Sequence, residues 1–222
     1  MSQYRLVGLL VFLAIGSPVR PQSPELIVPF FQVSNQTMER ALTQLHGWGI
    51  RVCLEKAAED LDAPGSGRIS VNLENTKVNG ILDALVAADR RYAWERYKRF
   101  GRYANLINVF PSQARRDPDY IMNIKTGTVR MKMPGRPEEL IPEIAESIPE
   151  IVNIVYPGGI LGSSGRVIGG PVSLEVEFEA TGLTVREILN ELALRNVEQG
   201  WLYEYVKDAP PFYTKHRWRL FP

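Results

Sequence analysis

A chain of 222 residues with 45% apolar and 23% charged content is an ordinary globular sequence, large enough for one big core or two small ones. Its 26 basic and 25 acidic residues leave a formal charge of +1, which excludes recruitment of nucleic acid or an anionic membrane surface by a global field. The single cysteine, Cys53, excludes an intramolecular disulfide, so cohesion must come from packing.

The chain opens with the build of an export signal over residues 1–23. Arg5 supplies the positive start, Leu6 to Ile15 the apolar run, and Ala14-Ile15-Gly16 a small-x-small cleavage pattern ahead of Ser17-Pro18. That run is shorter than the roughly 20 residues a bilayer core takes, and no later run could span one. After a short extended linker, Leu26 to Val33 has strand character, with Pro29 suiting an edge or a strand start. Asn35 or Thr37 can cap the next helix, whose stripe Met38, Ala41, Leu42 and Leu45 ends at Gly47 and Gly49. Ile50 to Leu54 is a strand that carries Cys53 as a buried, inert thiol, and Ala57 to Gly67 is an acidic loop.

Ile69, Val71 and Leu73 then alternate, Val78, Ile81, Leu82 and Leu85 follow at helical spacing from a start near Asn75 or Thr76, and Tyr92 opens a new strand. Tyr92 to Lys98 and Tyr103 to Phe110 flank the turn Arg99-Phe100-Gly101-Arg102 as a hairpin. Residues 112–127, with Arg115-Arg116-Asp117-Pro118, read as a linker. A second hairpin is expected from Ile121 to Met133 around Lys125-Thr126-Gly127. Pro137 can begin a helix with the stripe Leu140, Ile141, Ile144 and Ile148, bent or restarted at Pro142 and Pro149. Tyr156 to Pro171 is a glycine-rich loop, and Trp201 to Val206 with His216 to Phe221 makes the closing hairpin.

The order strand, helix, strand is written twice in register. Val176, Phe178 and Ala180 repeat the alternating set, Val185, Ile188, Leu189 and Leu192 the helix stripe, and Trp201 repeats Trp94, each 107 residues later. The expected fold is therefore α+β, with two related βαβ-βαβ modules at 30–111 and 128–222, each packing its helices on its own small sheet.

Phe31-Gln32-Val33, the stripe Met38 to Leu45, Gly49-Ile50-Arg51-Val52, Ile69 to Leu73, the stripe Val78 to Leu85 and the strands Tyr92 to Tyr97 and Asn105 to Phe110 resemble the secretin and TonB short N-terminal domain. The resemblance covers about residues 30–111, with a degenerate copy over 128–222. It implies a small periplasmic module that docks to other envelope proteins, without an invariant catalytic signature. The acidic loop, the prolines in the second half's first helix and the lack of a following pore or barrel depart from the family's usual setting.

Candidate chemistry is sparse. From Arg90 to Tyr103 cations interleave with aromatics, a combination that also serves nucleic-acid binding. Export argues against that use. A solvated hairpin face or a docking surface for an acidic partner fits better, so Trp94, Arg96, Lys98, Arg99 and Arg102 are the candidate partner-binding residues. Pro157 to Gly165 lacks the Gly-Lys-Ser/Thr of a phosphate loop. Glu59, Asp60 and Asp62 match no EF-hand spacing, and no Cys/His cluster or Ser-His-Asp setting supports a metal, a cofactor or a nucleophile.

The expected function is an exported, non-enzymatic interaction module, periplasmic or secreted, that binds an envelope protein by strand addition. It is expected to bind no nucleic acid and to have no membrane span once the signal is removed. Two competing expectations come from other classes. An envelope hydrolase would use carboxylates such as Glu175 or Glu177, and a carbohydrate or small-ligand binder would show an aromatic-lined pocket between the halves.

Overall fold

The computed structural model of the chain describes residues 26–57, 67–99, 102–135, 148–155, 174–195, 200–206 and 215–221. The expected leader, the acidic loop with Glu59, Asp60 and Asp62, the hairpin tip Phe100-Gly101, the start of the helix expected from Pro137 and the glycine loop 156–171 lie outside those residues.

Strand β1 (Ile27–Gln36) turns Val28, Phe31 and Val33 inward and pairs antiparallel with β3 (Ile69–Lys77). The ladder shifts between Val33 and Gln36. Asn35 takes a φ of 53° there, a left-handed conformation that asparagine tolerates, and its N–H donates to Ser70 Oγ at 2.9 Å. Helix α1 (Met38–His46) is capped by Thr37, whose hydroxyl accepts from the Arg40 N–H, and buries the stripe Met38, Ala41, Leu42 and Leu45. Helix α2 (Val78–Ala88) follows Lys77, which makes no side-chain cap. Neither Asn75 nor Thr76 caps it either, and Asn75 turns the chain at a φ of 46°.

Strands β4 (Tyr92–Arg99) and β5 (Arg102–Pro111) form the expected hairpin. The hairpin expected within 121–133 is absent. Ile121–Asn123 is a 3-10 turn, and β6 (Thr128–Gly135) pairs antiparallel with β7 (Leu174–Thr181). The competing contact is long-range: the N–H and hydroxyl of Thr126 both donate to the Leu183 carbonyl, at 2.9 and 3.0 Å, so the expected turn is bound to a distant segment. Helix α3 (Pro149–Val155) starts at a proline, which tolerates a first helical turn. Helix α4 (Val185–Arg195) starts with a reciprocal cap, because Glu187 accepts from the Thr184 N–H while Thr184 Oγ1 accepts from the Glu187 N–H. Strands β8 (Trp201–Tyr205) and β9 (His216–Leu220) close the chain as a hairpin.

The mixed α+β class is as expected, with β1–β3 and β6–β7 as small sheets of two strands, but the two halves share the third sheet. Strand β2 (Val52–Glu55) runs parallel to β5 on one side and to β8 on the other, so one five-stranded sheet has the order β4-β5-β2-β8-β9. An isolated first half would leave the far side of β2 as an exposed edge, and β8 occupies it. Gly200 makes the approach possible. A Cβ there would lie 1.6 Å from the carbonyl oxygen of Val52.

Period-two alternation distributes the helices. Val52, Leu54, Ile107, Val109 and Leu202 join the cluster formed by α1 and α2, while Cys53, Leu106, Trp201 and Tyr203 join the one formed by α3 and α4. The first half's helices thus cover one face of the shared sheet and the second half's cover the other. Each large apolar side chain buried this way contributes about 1.5–3 kcal/mol. Residues 112–127, expected as a linker, carry two 3-10 turns and bury Ala114, Ile121 and Met122. Polar ties cross between the halves as well: Lys56 Nζ lies 3.1 Å from both Glu39 and Glu204, and Arg219 pairs with Glu39. Among the described residues no helix is long and apolar enough to cross a membrane.

Candidate functional site

The terminal strand β4 borders a cleft of about 850 Å³. Its walls come from β4 and β5, from the first turn of α2, the first two turns of α4, and Arg115 in the 3-10 turn after β5. Because both helices begin here, their side chains reach the cleft from elements fixed by packing and by the Thr184–Glu187 cap.

Of the residues expected to bind a partner, Trp94, Arg96 and Lys98 line this cleft. The Trp94 indole N–H donates to Asp83 Oδ1 at 2.9 Å, and Lys98 is exposed. Arg99 and Arg102 pair with each other as the last rung of the β4–β5 ladder, and their side chains lie outside what the structure describes. Trp94 and Trp201 make the same bond, since Trp201 Nε1 donates to Asn190 Oδ1 at 3.1 Å. Their surroundings differ, with Trp94 half-buried and Trp201 fully buried.

Most charge around the cleft is already matched. Arg186 grips Glu55 with a bidentate fork, its second nitrogen bonding at 3.0 Å, while Nη1 donates to Asn123 Oδ1 at 2.8 Å. Its guanidinium also lies 4.9 Å from the centroid of the Phe110 ring. Burial pushes the Glu55 carboxyl above its usual range, and the Arg186 guanidinium opposes that push. Arg115 pairs with Glu95 at 3.3 Å, and the Tyr97 hydroxyl donates to Glu191 at 3.1 Å.

The amides are different. Asn108, 1% exposed on β5, has no hydrogen-bond partner for either side-chain atom among the described residues, and the same holds for Asn190 Nδ2 and Asn79 Oδ1. All three residues line the cleft. Sequence reasoning passed over them. The signal for Asn108 was a lone polar residue in Leu106-Ile107-Asn108-Val109-Phe110, and Asn190 stands at the repeat position of Asp83.

No family model, curated protein or solved structure matches the chain.

A second cavity of about 500 Å³ opens between the segment after β5 and the closing hairpin, lined by Tyr120, Tyr203, Tyr205 and His216. The Tyr203 hydroxyl and His216 Nδ1 are 2.9 Å apart, and the Tyr203 and His216 rings stack at 6.1 Å. Burial, then Lys215, lowers the His216 pKa. The carboxylates weighed for hydrolysis, Glu175 and Glu177, sit elsewhere, on β7, where Glu177 is exposed and the neighbouring Glu179 pairs with Arg130 at 2.9 Å. Cys53 is buried, and burial pushes its thiol far up, out of reach of a thiolate role at neutral pH. Among the described residues no three His, Cys, Asp or Glu side chains are grouped to hold a metal.

Proposed function

We propose that the protein is an exported, non-enzymatic docking module of the bacterial cell envelope, akin to the secretin and TonB short N-terminal domain. It is built, on this reading, from two copies of one strand-helix-strand unit. The observation that carries the docking role is the place of β4: among the described residues it ends the five-stranded sheet, and Trp94, Arg96 and Lys98 stand along it. The end of a sheet is where a partner strand adds, and cations beside it favour an acidic partner segment. The duplication is supported by α2 and α4, each 11 residues long and offset by the repeat, and by the two matching indole bonds.

The test is a photo-crosslinking residue placed at Arg102 in cells, compared with the same protein carrying Arg96→Glu and Lys98→Glu. A discrete envelope-protein adduct that the reversals abolish at an unchanged thermal midpoint is the expected result. Adducts that persist at full yield remove β4 from the docking role.

A further inference from the structure

The cleft beside β4 has a chemistry that strand docking does not use. A buried amide without a partner costs stability, and Asn108 is one, with Asn190 Nδ2 and Asn79 Oδ1 as further buried atoms without a partner around the same cavity, so the cavity calls for something that satisfies them. We propose that the cleft is a binding site for a neutral saccharide of two or three sugar units.

Four observations converge on that class. The buried Asn108 offers one donor and one acceptor side by side, Asn190 Nδ2 adds a donor, and Asn79 Oδ1 adds an acceptor. Adjacent hydroxyls of a sugar, each able to donate and accept, are complementary to such a set. Trp94 and Tyr97 give the cleft aromatic surface, which the C–H faces of a pyranose ring cover well. Within the cleft Arg186 is matched by Glu55 and Arg115 by Glu95, and Glu187 holds the Thr184 cap, while Arg96 and Lys98 on the β4 wall are the cations that strand docking uses. A site built for an anion would instead present donors concentrated on one ligand position. Finally, about 850 Å³ lies within the range of small-ligand pockets.

The experiment titrates the full chain with maltotriose, with triacetylchitotriose and with inorganic phosphate, following side-chain amide resonances by heteronuclear NMR. The expected result is a dissociation constant at or below about 1 mM for at least one trisaccharide, with the Asn108 side-chain amide among the shifted signals. Asn108→Leu removes an unsatisfied amide at similar volume. It is expected to keep or raise the thermal midpoint while weakening saccharide binding at least about tenfold. Asn79→Ala, at a half-buried position, is the second variant and should weaken binding without a change in midpoint. The proposal is overturned if neither trisaccharide shifts any cleft resonance, if phosphate alone binds, or if both variants bind saccharide as well as the parent. The crosslinking test of β4 is independent of these outcomes, so either reading can fail alone.

Discussion

The indole N–H of Trp201 reaches Asn190 Oδ1 at 3.1 Å, and both residues are fully buried. The equivalent bond in the first half, Trp94 to Asp83, ends on an exposed carboxylate, where water can replace the lost partner. Trp201→Phe is therefore expected to cost about 1–3 kcal/mol for the stranded amide, with a packing loss added, and Trp94→Phe less than about 1 kcal/mol. Urea denaturation of the two variants measures the difference, and equal costs would contradict the assigned burial.

Glu55 on β2 and Arg186 on α4 join the two halves through the sheet. Arg186→Met leaves a buried carboxylate without its cation and should destabilise by about 3–5 kcal/mol. Adding Glu55→Leu removes the stranded charge as well, and recovery of most of that loss is the expected outcome of the double-mutant cycle. If the double variant is as unstable as the sum of the singles, the pair is not coupled as described.

Gly200→Ala places a methyl 1.6 Å from the Val52 carbonyl oxygen, backbone against backbone. The expected cost is about 1–3 kcal/mol or more, since one strand must move away. Hydrogen exchange should report it first at the Lys56 N–H, which donates to the Tyr203 carbonyl at 2.8 Å across the β2–β8 seam. Protection there unchanged from the parent would refute the seam.

His216 gives the fold a pH signature. Burial and then Lys215 hold its imidazole below the ordinary value of about 6.5, so the unfolded chain binds the proton more readily. Its contribution to stability is complete above that ordinary value and is lost as pH falls through it, until the folded form is protonated too. His216→Phe should flatten the stability profile as pH falls below about 6.5. A variant with the parent's slope in that window would place the titrating group elsewhere.

Much of the secondary structure was legible in the residues. The stripes Met38 to Leu45, Val78 to Leu85 and Val185 to Leu192 are helices, and the β4–β5 and β8–β9 hairpins fall where alternation placed them. The cleft was half legible. Aromatic and basic residues on β4 stood out by type, whereas Asn108, Asn79 and Asn190 are ordinary residues until a cavity forms around them.

Periodicity is a local property, and by itself the sequence determined which stretches become helix or strand and which side of each is apolar, because the 3.6 and 2.0 repeats are written in adjacent residues. It does not state which edge meets which. That β8 lies against β2, that β6 seeks β7 across a long gap, and that the two pairs of helices take opposite faces of one sheet were decided by long-range pairing. An exposed strand edge is satisfied by whichever backbone can come close enough, and at this seam a single glycine hydrogen opened the way.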